Sequence, residues 1–346
     1  QVEKIDYPNS LIFINKSFVN FFDYINDVNH LDVIYLIDEN VLRIHKNLFS
    51  SHFKFISVAS GEQVKSLQNI NEIIQKIISL GGNKSTCIIG VGGGVTCDVA
   101  GFIASIFMRG VRFGFIPTTL LAITDASLGG KNGVNFNNVK NVLGVINEPD
   151  FVFIDYAFLK TLPSKEFVNG FAEIIKHACI SSQKLFVDLE KNIDDYLQII
   201  KSPEHANFNK LNSLICDSIK IKLDIVCVDR NEGNLRKNLN YGHTFGHAIE
   251  SKFNLSHGSA ISLGMIFSNM ISNKLGYIAN NELLRISNLL ASYGLPVDTF
   301  NYNKSDLMLL VQKDKKSSGT TIDFVMLKEI GSSFIESLNI QKIIDA

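Results

Sequence analysis

The stretch that decides the fold runs from Cys87 to Asp98 and reads CIIGVGGGVTCD. Its first five residues are apolar or glycine with no polar alternation, which predicts a strand buried on both faces of a sheet. Three glycines follow at Gly92 to Gly94, and an apolar helical stretch then runs from Val95 to Met108. A buried strand, a glycine turn and a helix in this order are typical of a doubly wound, mainly parallel α/β sheet.

The glycine turn itself is open to two interpretations. Glycines at such a turn let the backbone approach a phosphate, and the N-terminus of the helix offers unpaired N–H groups. The strict dinucleotide fingerprint fails, because position 95 is valine. The residues alone therefore indicate either a nucleotide-binding loop or a tight structural turn. Asp98 could cap the helix or hold a ribose or sugar hydroxyl.

The same alternation of strands and helices extends through the first half of the chain. Short β-rich runs at 33–37, 53–58 and 111–116 alternate with a helical pattern at 64–80. After about residue 156 helical periodicity dominates. We therefore predict an α/β domain over residues 1–157 and a mostly helical domain over 158–346, with the active site in the cleft between them. The predicted helices of the second domain span residues 164–180, 183–200, 207–227, 241–253, 258–275 and 280–293.

Composition excludes several classes of function. The chain carries 33 Lys and Arg against 34 Asp and Glu, so no overall field attracts nucleic acid, and local basic residues must hold any anionic ligand. Its five cysteines are scattered without a CxxC pair, which favours core residues in a reducing compartment. The first residues lack a signal-peptide pattern, and no apolar run approaches the roughly 20 residues of a membrane helix. We expect a cytoplasmic protein with no membrane or nucleic-acid partner.

Histidines and a carboxylate form a candidate metal site. His243 and His247 stand one helical turn apart, and His257 follows a short break and opens the next helix. One face of an earlier helix carries Glu173, Lys176 and His177. A catalytic zinc-type site usually has three protein ligands, commonly imidazoles and a carboxylate. Glu173 with two of the later histidines would supply them. Spacing does not choose between His243 and His247, nor does it exclude His177.

Several basic residues sit in apolar or glycine-rich surroundings, where charge is costly unless it is paired. A bound anion would pair them, and arginine suits bidentate contact with phosphate. The alternative is that each is a surface charge or part of a salt bridge. The set comprises Arg109, Lys131, Lys140, Lys222 and Arg236.

The segment IPTTLLAITDASLGGK, Ile116 to Lys131, closely resembles the 3-dehydroquinate synthase family of sugar-phosphate cyclases. Further segments resemble it in the same order: Gly92 to Asp98, Arg109-Gly110, Gly170 to His177, Arg236 to Glu250, and Asp314-Lys315-Lys316. The resemblance implies an NAD-binding first domain, a metal- and substrate-binding helical second domain, a divalent metal such as zinc or cobalt, and a homodimer.

The resemblance also implies an activity. The family converts 3-deoxy-D-arabino-heptulosonate 7-phosphate into 3-dehydroquinate and phosphate, in the shikimate route to aromatic compounds. The implied course is transient oxidation by NAD, elimination of phosphate, reduction and intramolecular aldol closure. NAD is recycled rather than consumed.

Carried over residue by residue, the family pattern makes Glu173, His243 and His257 the metal ligands and leaves His247 as a phosphate-proximal or proton-transfer group. Arg109 and Lys131 look like phosphate ligands, and Arg109 could come from the partner chain if the site lies at a dimer interface. Residues matching substrate contacts are Asp125, Lys131, Asn141, Lys176, Lys222, Arg236 and Asn240, with one of Lys315 and Lys316. Residues implied to contact NAD are Asp38, Asn40, Glu62, Lys65, Gly93, Gly94, Asp98, Thr118, Thr119, Lys131, Lys140, Asn141, Thr161 and Leu162.

Three positions depart from the family pattern, at Val139, Gly233 and Ser259. The competing hypotheses are another sugar-phosphate cyclase such as a 2-deoxy-scyllo-inosose synthase, a polyol dehydrogenase of the glycerol or iron type, and a binding protein without turnover. The basic cluster of Lys131, Lys222 and Arg236 argues against a polyol dehydrogenase, whose substrate is uncharged.

Overall fold

The computed structural model describes residues 3–7, 10–21, 32–49, 53–137, 139–299, 306–309, 311 and 321–345. The chain divides into two compact units. The first comprises Gln1–Pro163 and Pro203–Phe208, and the second comprises Ser164–Ser202 and Asn209–Ala346. The first unit thus ends directly before a long helix, whereas the sequence predicts a boundary after residue 157.

The first unit is built on a seven-stranded sheet, counted over the described residues. The strands lie in the order β1-β2-β9-β6-β5-β3-β4, and all neighbours are parallel except β1 and β2. The predicted mainly parallel α/β sheet is confirmed. The strands are β1 Glu3–Tyr7, β2 Ser10–Ile14, β3 Asp32–Asp38, β4 Lys54–Val58, β5 Thr86–Gly92, β6 Arg112–Pro117 and β9 Phe151–Ile154.

Strand β5, which carries the deciding stretch, lies between β3 and β6, and every one of its residues is buried. Its sequence lacks alternation because both of its faces are covered. The chain runs from β3 to β4 on one side and then returns to β5 on the other side of β3. The order of the strands therefore reverses at β3 and β5, and ligands of open α/β sheets bind beyond the carboxyl ends of strands at such a point.

The helices of the first unit are α1 Glu39–Ile44, α2 Leu67–Ser79 and α3 Gly94–Ile106. Two predicted ends are corrected. Helix α2 begins at Leu67 rather than at residue 64, because residues Glu62–Val64 form a 3-10 turn and Ser66 caps the helix through Asn69 N. Helix α3 ends at Ile106 rather than at Met108, because Met108 adopts a φ of 49°.

A hairpin of β7 Lys131–Phe136 and β8 Val139–Ile146 also belongs to the first unit and was not predicted. Most β8 residues are exposed, so the strand lacks the apolar alternation that marks a half-buried strand. Residues Tyr156–Thr161 form a 3-10 helix, and residues Ala122–Ala126 form a single π-helical turn.

The second unit is mostly helical, as predicted, but it also contains the antiparallel hairpin of β10 Thr321–Glu329 and β11 Ser332–Asn339. Its helices are α4 Ser164–Ser181, α5 Gln183–Lys191, α6 Ile193–Lys201, α7 Asn209–Val228, α8 His243–Phe253, α9 His257–Lys274, α10 Asn280–Ser292 and α11 Ile340–Asp345. The single helix predicted over residues 183–200 is wrong: it breaks at Asn192, whose side-chain amide donates to Asp188.

Helices α8 and α9 pack with the β10–β11 hairpin in one buried cluster, which includes Phe245, Leu263, Phe267 and Phe324. This core holds the two helices that begin with histidine. No helix among the described residues combines the length and the apolar character that crossing a membrane requires.

Candidate active site

Three helices of the second unit present the predicted metal ligands. Glu173 lies in the middle of α4, and His243 and His257 are the first residues of α8 and α9. Gly242 starts α8 with a φ of 78°, and a Cβ there would meet Met265 Cγ at 2.7 Å, so glycine is needed at this position. Ser256 caps α9 by accepting from Ser259 N.

The three side chains converge. Nε2 of His257 lies 3.1 Å from Oε1 of Glu173, and Nε2 of His243 lies 3.6 Å from the same oxygen. One ligand atom from each residue falls within 4.8 Å of the others. One carboxylate oxygen and two imidazole nitrogens form a donor set that suits a catalytic zinc-type cation with room for a substrate oxygen. The set therefore fits the divalent metal that the sequence implied.

The electrostatics of this cluster centre on Glu173, which is fully buried. Burial by itself raises the pKa of Glu173, but the Lys176 ammonium and the hydrogen bond from His257 outweigh it and hold that pKa well below its usual value. Lys176 is itself buried and pairs with Oε2 of Glu173. Burial and the nearby Lys176 lower the pKa of His243. The carboxylate is therefore ionised and His243 neutral, as metal ligation requires.

The other nitrogen of each histidine is also held. Nδ1 of His243 lies 3.1 Å from the Tyr241 carbonyl, and Nδ1 of His257 lies 3.5 Å from Oε2 of Glu250. Such contacts fix the ring and leave Nε2 to face a cation. Burial opposes protonation of His257, but its hydrogen bonds to Glu173 and Glu250 raise its pKa to about 10, so a bound cation would have to displace the proton on Nε2. Sequence reasoning missed Glu250, although it lies two helical turns after His243 on the same face.

Spacing alone left the choice among the histidines open, and the structure distinguishes their surroundings. His247 is exposed, and its ring centroid lies 5.2 Å from that of His243. His177 is fully buried, and its Nδ1 lies 2.8 Å from the Ser218 hydroxyl. His247 thus stands beside the convergent cluster, in ring contact with His243.

A tightly folded loop after α7 carries two more predicted site residues, Arg236 and Asn240, within a 3-10 helix of residues Leu235–Asn240. Arg236 is buried, and its Nη1 donates to the Arg230 carbonyl at 2.6 Å. Asn240 donates to Oε1 of Glu232 at 2.7 Å. Lys222, also buried, lies on α7 itself.

One acidic residue, Asp229, organises this loop. Its carboxylate accepts from the backbone N–H groups of Gly233 at 2.8 Å, Asn234 at 2.7 Å and Arg236 at 3.0 Å. These bonds, with that of Asn234 strongest, hold the pKa of Asp229 below its usual value. A cavity of about 490 Å³ lies beside the loop, lined by Glu232, Asn240 and strand residues of β10 and β11.

In the first unit, the predicted nucleotide turn lies at the carboxyl ends of β5 and β3. A Cβ on Gly92 would meet Thr96 Oγ1 at 2.5 Å and Asp38 Cβ at 3.0 Å, so glycine permits the strand, helix and Asp38 to approach closely. Gly93 begins α3 without any side-chain cap. The turn therefore presents the positive end of a helix beside a carboxylate, as a dinucleotide site requires.

Asp38 is the hub of one predicted cofactor group. Its Oδ1 accepts from Asn40 N at 2.8 Å, and both of its oxygens lie 2.9 Å from the Ser60 hydroxyl. The Asn40 amide in turn donates to Ser60 at 2.7 Å. Sequence reasoning missed Ser60, because the turn that follows β4 was interpreted only as the end of a strand.

Lys65 is the hub of a second group. Its side chain is 3% exposed, and its ammonium donates to Oδ2 of Asp98 at 2.6 Å and to Oδ1 of Asn141 at 2.5 Å. Oε1 of Glu62 lies 3.7 Å from the same ammonium. Four of the residues implied to contact NAD thus form one connected polar cluster around a buried charge.

The remaining predicted cofactor residues lie on backbone turns of the first unit. Thr118 donates its N–H to the Gly92 carbonyl, and the Thr119 hydroxyl accepts from Ala122 N. Thr161 lies 2.8 Å from Nε2 of His45, a histidine that sequence reasoning missed, and the next residue, Leu162, is buried.

The other basic and acidic site residues of the first unit lie on different elements. Arg109 is exposed and has a φ of 62°, between Met108 and Gly110, which also adopt positive φ values. Lys131 and Lys140 lie exposed on β7 and β8, and Asp125 lies in the π-helical turn. The predicted contacts at Lys315 and Lys316, with Asp314, fall outside the described residues.

Two family models match the chain over consecutive ranges. The model described as 3-dehydroquinate synthase N-terminal matches residues 55–169, and the model described as 3-dehydroquinate synthase C-terminal matches residues 170–317.

Individual proteins agree with the family models. The chain is 36% identical over 307 residues to the 3-dehydroquinate synthase of Thermoanaerobacter pseudethanolicus, covering 87% of this chain and 84% of that protein.

Among solved structures, a 2-epi-5-epi-valiolone synthase from Streptomyces hygroscopicus with NAD+ and Zn2+ bound superposes with a TM-score of 0.86 at 22% identity, covering 99% of this chain and 96% of that chain. A 2-deoxy-scyllo-inosose synthase complexed with carbaglucose-6-phosphate, NAD+ and Co2+ gives 0.84 at 23% identity, covering 100% and 98%. At these identities the solved structures show a shared fold, whereas the family models and the curated relative place the chain in the 3-dehydroquinate synthase family.

Proposed function

We propose that this chain is a 3-dehydroquinate synthase that converts 3-deoxy-D-arabino-heptulosonate 7-phosphate into 3-dehydroquinate and phosphate, with NAD and a divalent metal as cofactors. The observation that carries the proposal is the convergence of Glu173, His243 and His257 in a chain of this family. A small sugar phosphate agrees with the enzyme class and with the buried basic residues of the second unit.

The residues that would hold the metal are Glu173, His243 and His257, and those that would hold NAD surround the turn at Gly93, with Asp38 and Lys65 as the centres of two polar groups. A bound dinucleotide takes up and later returns a hydride, and a bound divalent cation acts as a Lewis acid on substrate oxygens. Both solved structures named above contain NAD+ with Zn2+ or Co2+, which supports this pair of cofactors.

Lys176 has two roles in this proposal. Its ammonium neutralises Glu173 inside the protein, so that the carboxylate stays ionised. With a divalent cation held by Glu173, Lys176 would donate to a substrate hydroxyl.

The N-terminus of α3 offers N–H groups for the pyrophosphate of NAD, since no side chain caps it. The Asp38 carboxylate, at the end of β3, would accept from ribose hydroxyls. Asn40 and Ser60 keep that carboxylate in one orientation.

The substrate contacts follow the charges of the heptulosonate phosphate. Arg109 and Lys131 offset the charge of the departing phosphate, and Arg236 suits bidentate contact with the carboxylate. Asp125, Asn141, Lys222 and Asn240 fix the hydroxyls, so that hydride and proton leave from defined faces. His247 is a proton carrier beside the metal ligands, a role that typically contributes about 10²–10⁴-fold.

The homodimer implied by the family resemblance and the cytoplasmic location expected from the sequence stay predictions. A polyol dehydrogenase and a 2-deoxy-scyllo-inosose synthase differ from the proposed function in substrate, and no contact in the described residues favours either over the heptulosonate phosphate.

The test compares three substrates with purified metal-loaded enzyme and NAD. We expect phosphate release from 3-deoxy-D-arabino-heptulosonate 7-phosphate at a kcat/KM at least about a hundredfold above that for glucose 6-phosphate, which is roughly 2.7 kcal/mol of transition-state discrimination. Glycerol should give no NADH. Preferential turnover of glucose 6-phosphate, or stoichiometric NADH from glycerol, would overturn the proposal in favour of the corresponding rival.

A further inference from the structure

The loop that joins α7 to the histidine helix α8 is organised around one carboxylate. Asp229 directly follows the last residue of α7, and its two oxygens accept three backbone N–H groups, from Gly233, Asn234 and Arg236, at 2.7 to 3.0 Å. All three bonds go forward into the loop and none closes the last turn of α7. The carboxylate therefore fixes the path of the backbone up to Arg236.

The side chains of Arg236 and Asn240 contact other residues of the same loop and therefore depend on that path. Arg236 is 1% exposed, and its guanidinium donates to the Arg230 carbonyl inside the loop. Asn240 donates to Glu232, and Glu232 has a φ of 59°, a left-handed conformation that a residue with a Cβ rarely adopts. Such a conformation persists only where its surroundings hold it. Gly233 and Asn234 directly follow Glu232, and their backbone bonds to Asp229 keep Glu232 in this conformation.

We propose that Asp229 is a positioning residue of the active site, which sets the guanidinium of Arg236 and the amide of Asn240 for the substrate before the substrate binds. The inference rests on the proposed function, since that function gives Arg236 and Asn240 their ligand. Asp229 acts through these two residues and does not itself contact the substrate. Preorganisation of this kind lowers the ordering cost on binding and sharpens the geometry of the reaction.

The position of Asp229 separates this role from general support of the fold. Asp229 lies outside the buried cluster that supports α8 and α9, and its bonds do not reach Glu173, His243 or His257. Loss of the carboxylate should therefore disturb substrate binding while metal and NAD binding persist.

The experiment uses Asp229→Ala and Asp229→Asn in the full chain, with Asp224→Ala as matched control. Asp224 lies on the exposed side of α7 about one turn earlier, so its replacement makes the same change of charge on the same element. We expect Asp229→Ala to lower kcat/KM for the heptulosonate phosphate about 10- to 100-fold, mainly through KM, which is the range that a misplacement of about 1 Å produces. Asp229→Asn keeps one acceptor oxygen and should fall between Asp229→Ala and the wild type. Asp224→Ala should match the wild type.

A double-mutant cycle tests whether Asp229 acts through Arg236. In an Arg236→Ala background, Asp229→Ala should lower kcat/KM by a clearly smaller factor than in the wild-type background, because one of the two groups that it positions has gone. Equal losses in both backgrounds would show that Asp229 supports the structure without positioning Arg236, and would overturn the proposal. So would a parallel loss of bound metal or of NAD affinity in Asp229→Ala, or a kcat/KM within twofold of the wild type.

Limited trypsin cleavage after Arg236 supplies a readout that needs no turnover. The wild type should be cut slowly at this bond and Asp229→Ala faster, while Asp224→Ala behaves as the wild type does. If the wild type fails to release phosphate from the heptulosonate phosphate, the proposed function fails, whereas the cleavage rates still decide whether Asp229 holds the loop. If Asp229→Ala does not fold, the kinetic, double-mutant and cleavage tests are made with Asp229→Asn, and the expected directions are the same.

Discussion

At the residue scale, the central feature is one buried carboxylate, that of Glu173. Three cationic or potentially cationic residues contact it: Lys176, His243 and His257. Burying a charge is costly unless it is paired, and removing one partner of such a group costs more than the group contributes as a whole. Lys176 supplies the charge that balances the buried carboxylate. The ligand atoms of Glu173, His243 and His257 already face one another, so the arrangement suits a divalent cation.

Replacement of a ligand histidine should remove the metal and leave NAD in place. We expect His257→Ala to retain well under one tenth of the metal bound by the wild type, since a ring nitrogen of the three-ligand set is lost. Metal content is measured by elemental analysis after dialysis, and NAD affinity by calorimetry. His205→Ala, an exposed histidine outside the cluster, is the control. Full metal content in His257→Ala would show that the ion binds elsewhere.

Glu250 should tune the affinity of the metal through His257. Its carboxylate faces the ring nitrogen that does not point to Glu173. Loss of an outer partner of this kind typically weakens metal binding about 10- to 100-fold. We therefore expect Glu250→Gln to raise the metal dissociation constant by that amount, measured by competition with a chelator of known affinity. Glu329→Gln, an exposed carboxylate at the end of β10, should leave the constant unchanged. An unchanged constant in Glu250→Gln would remove Glu250 from this role.

The residues that sequence reasoning could identify are those whose spacing or family pattern carries the signal, such as Glu173, His243 and His257. Spacing alone left His247 and His177 as alternatives, and only the packing of α4 against α9 and α8 shows which rings face Glu173. Asp229, Glu250 and Ser60 were missed because they act on other protein groups. Such residues are marked by a contact between positions distant in the sequence or by an acceptor within a loop. Neither feature produces a periodic pattern in the sequence.

At the scale of elements, the turn between β5 and α3 brings three groups into close approach. A methyl group on Gly92 would collide with Thr96 and with Asp38. A tightly packed site has no room for an added methyl, and overpacking typically costs about 1–3 kcal/mol. The turn is therefore both a structural necessity and the place where the predicted dinucleotide site begins.

Gly92→Ala should lower the free energy of unfolding of the first unit by about 1–3 kcal/mol and weaken NAD binding at the same time. The loss follows from a forced shift of the strand end, the helix start and Asp38. Gly93→Ala is the matched control, because its methyl would come no closer than 3.2 Å to Thr119, and its stability loss should be smaller. Chemical denaturation and calorimetric titration with NAD measure the two effects. Equal stability in Gly92→Ala and the wild type would contradict the packing argument.

Elements with a strong period were predictable and the others were not. The parallel strands around β5 and the long helices α4, α7, α9 and α10 follow apolar runs or helical spacing. The hairpins β7–β8 and β10–β11 were missed: β8 is mostly exposed, and four consecutive buried residues in β10, at 324–327, break the alternation of a half-buried strand. The break at Asn192 was missed because the helical spacing of apolar residues continues across it, while a side-chain amide ends the helix locally.

At the scale of the whole molecule, the two compact units divide the chemistry. The first holds the turn and the polar groups implied to bind NAD, and the second holds the metal ligands and the loop shaped by Asp229. Family membership follows from residues that lie in both units, because the two family models match consecutive ranges on either side of residue 169. An enzyme that recycles its dinucleotide therefore needs both units.

The most direct test of this account counts the 3-dehydroquinate formed per NAD. Metal-loaded enzyme receives the heptulosonate phosphate with NAD at about one tenth of the substrate concentration, and 3-dehydroquinate, phosphate and NADH are measured together. We predict equal amounts of 3-dehydroquinate and phosphate, far above the NAD supplied, with no accumulation of NADH. Metal-stripped enzyme and Glu173→Gln should form neither product. Product limited to the NAD supplied, or full turnover by Glu173→Gln in the presence of chelator, would contradict it.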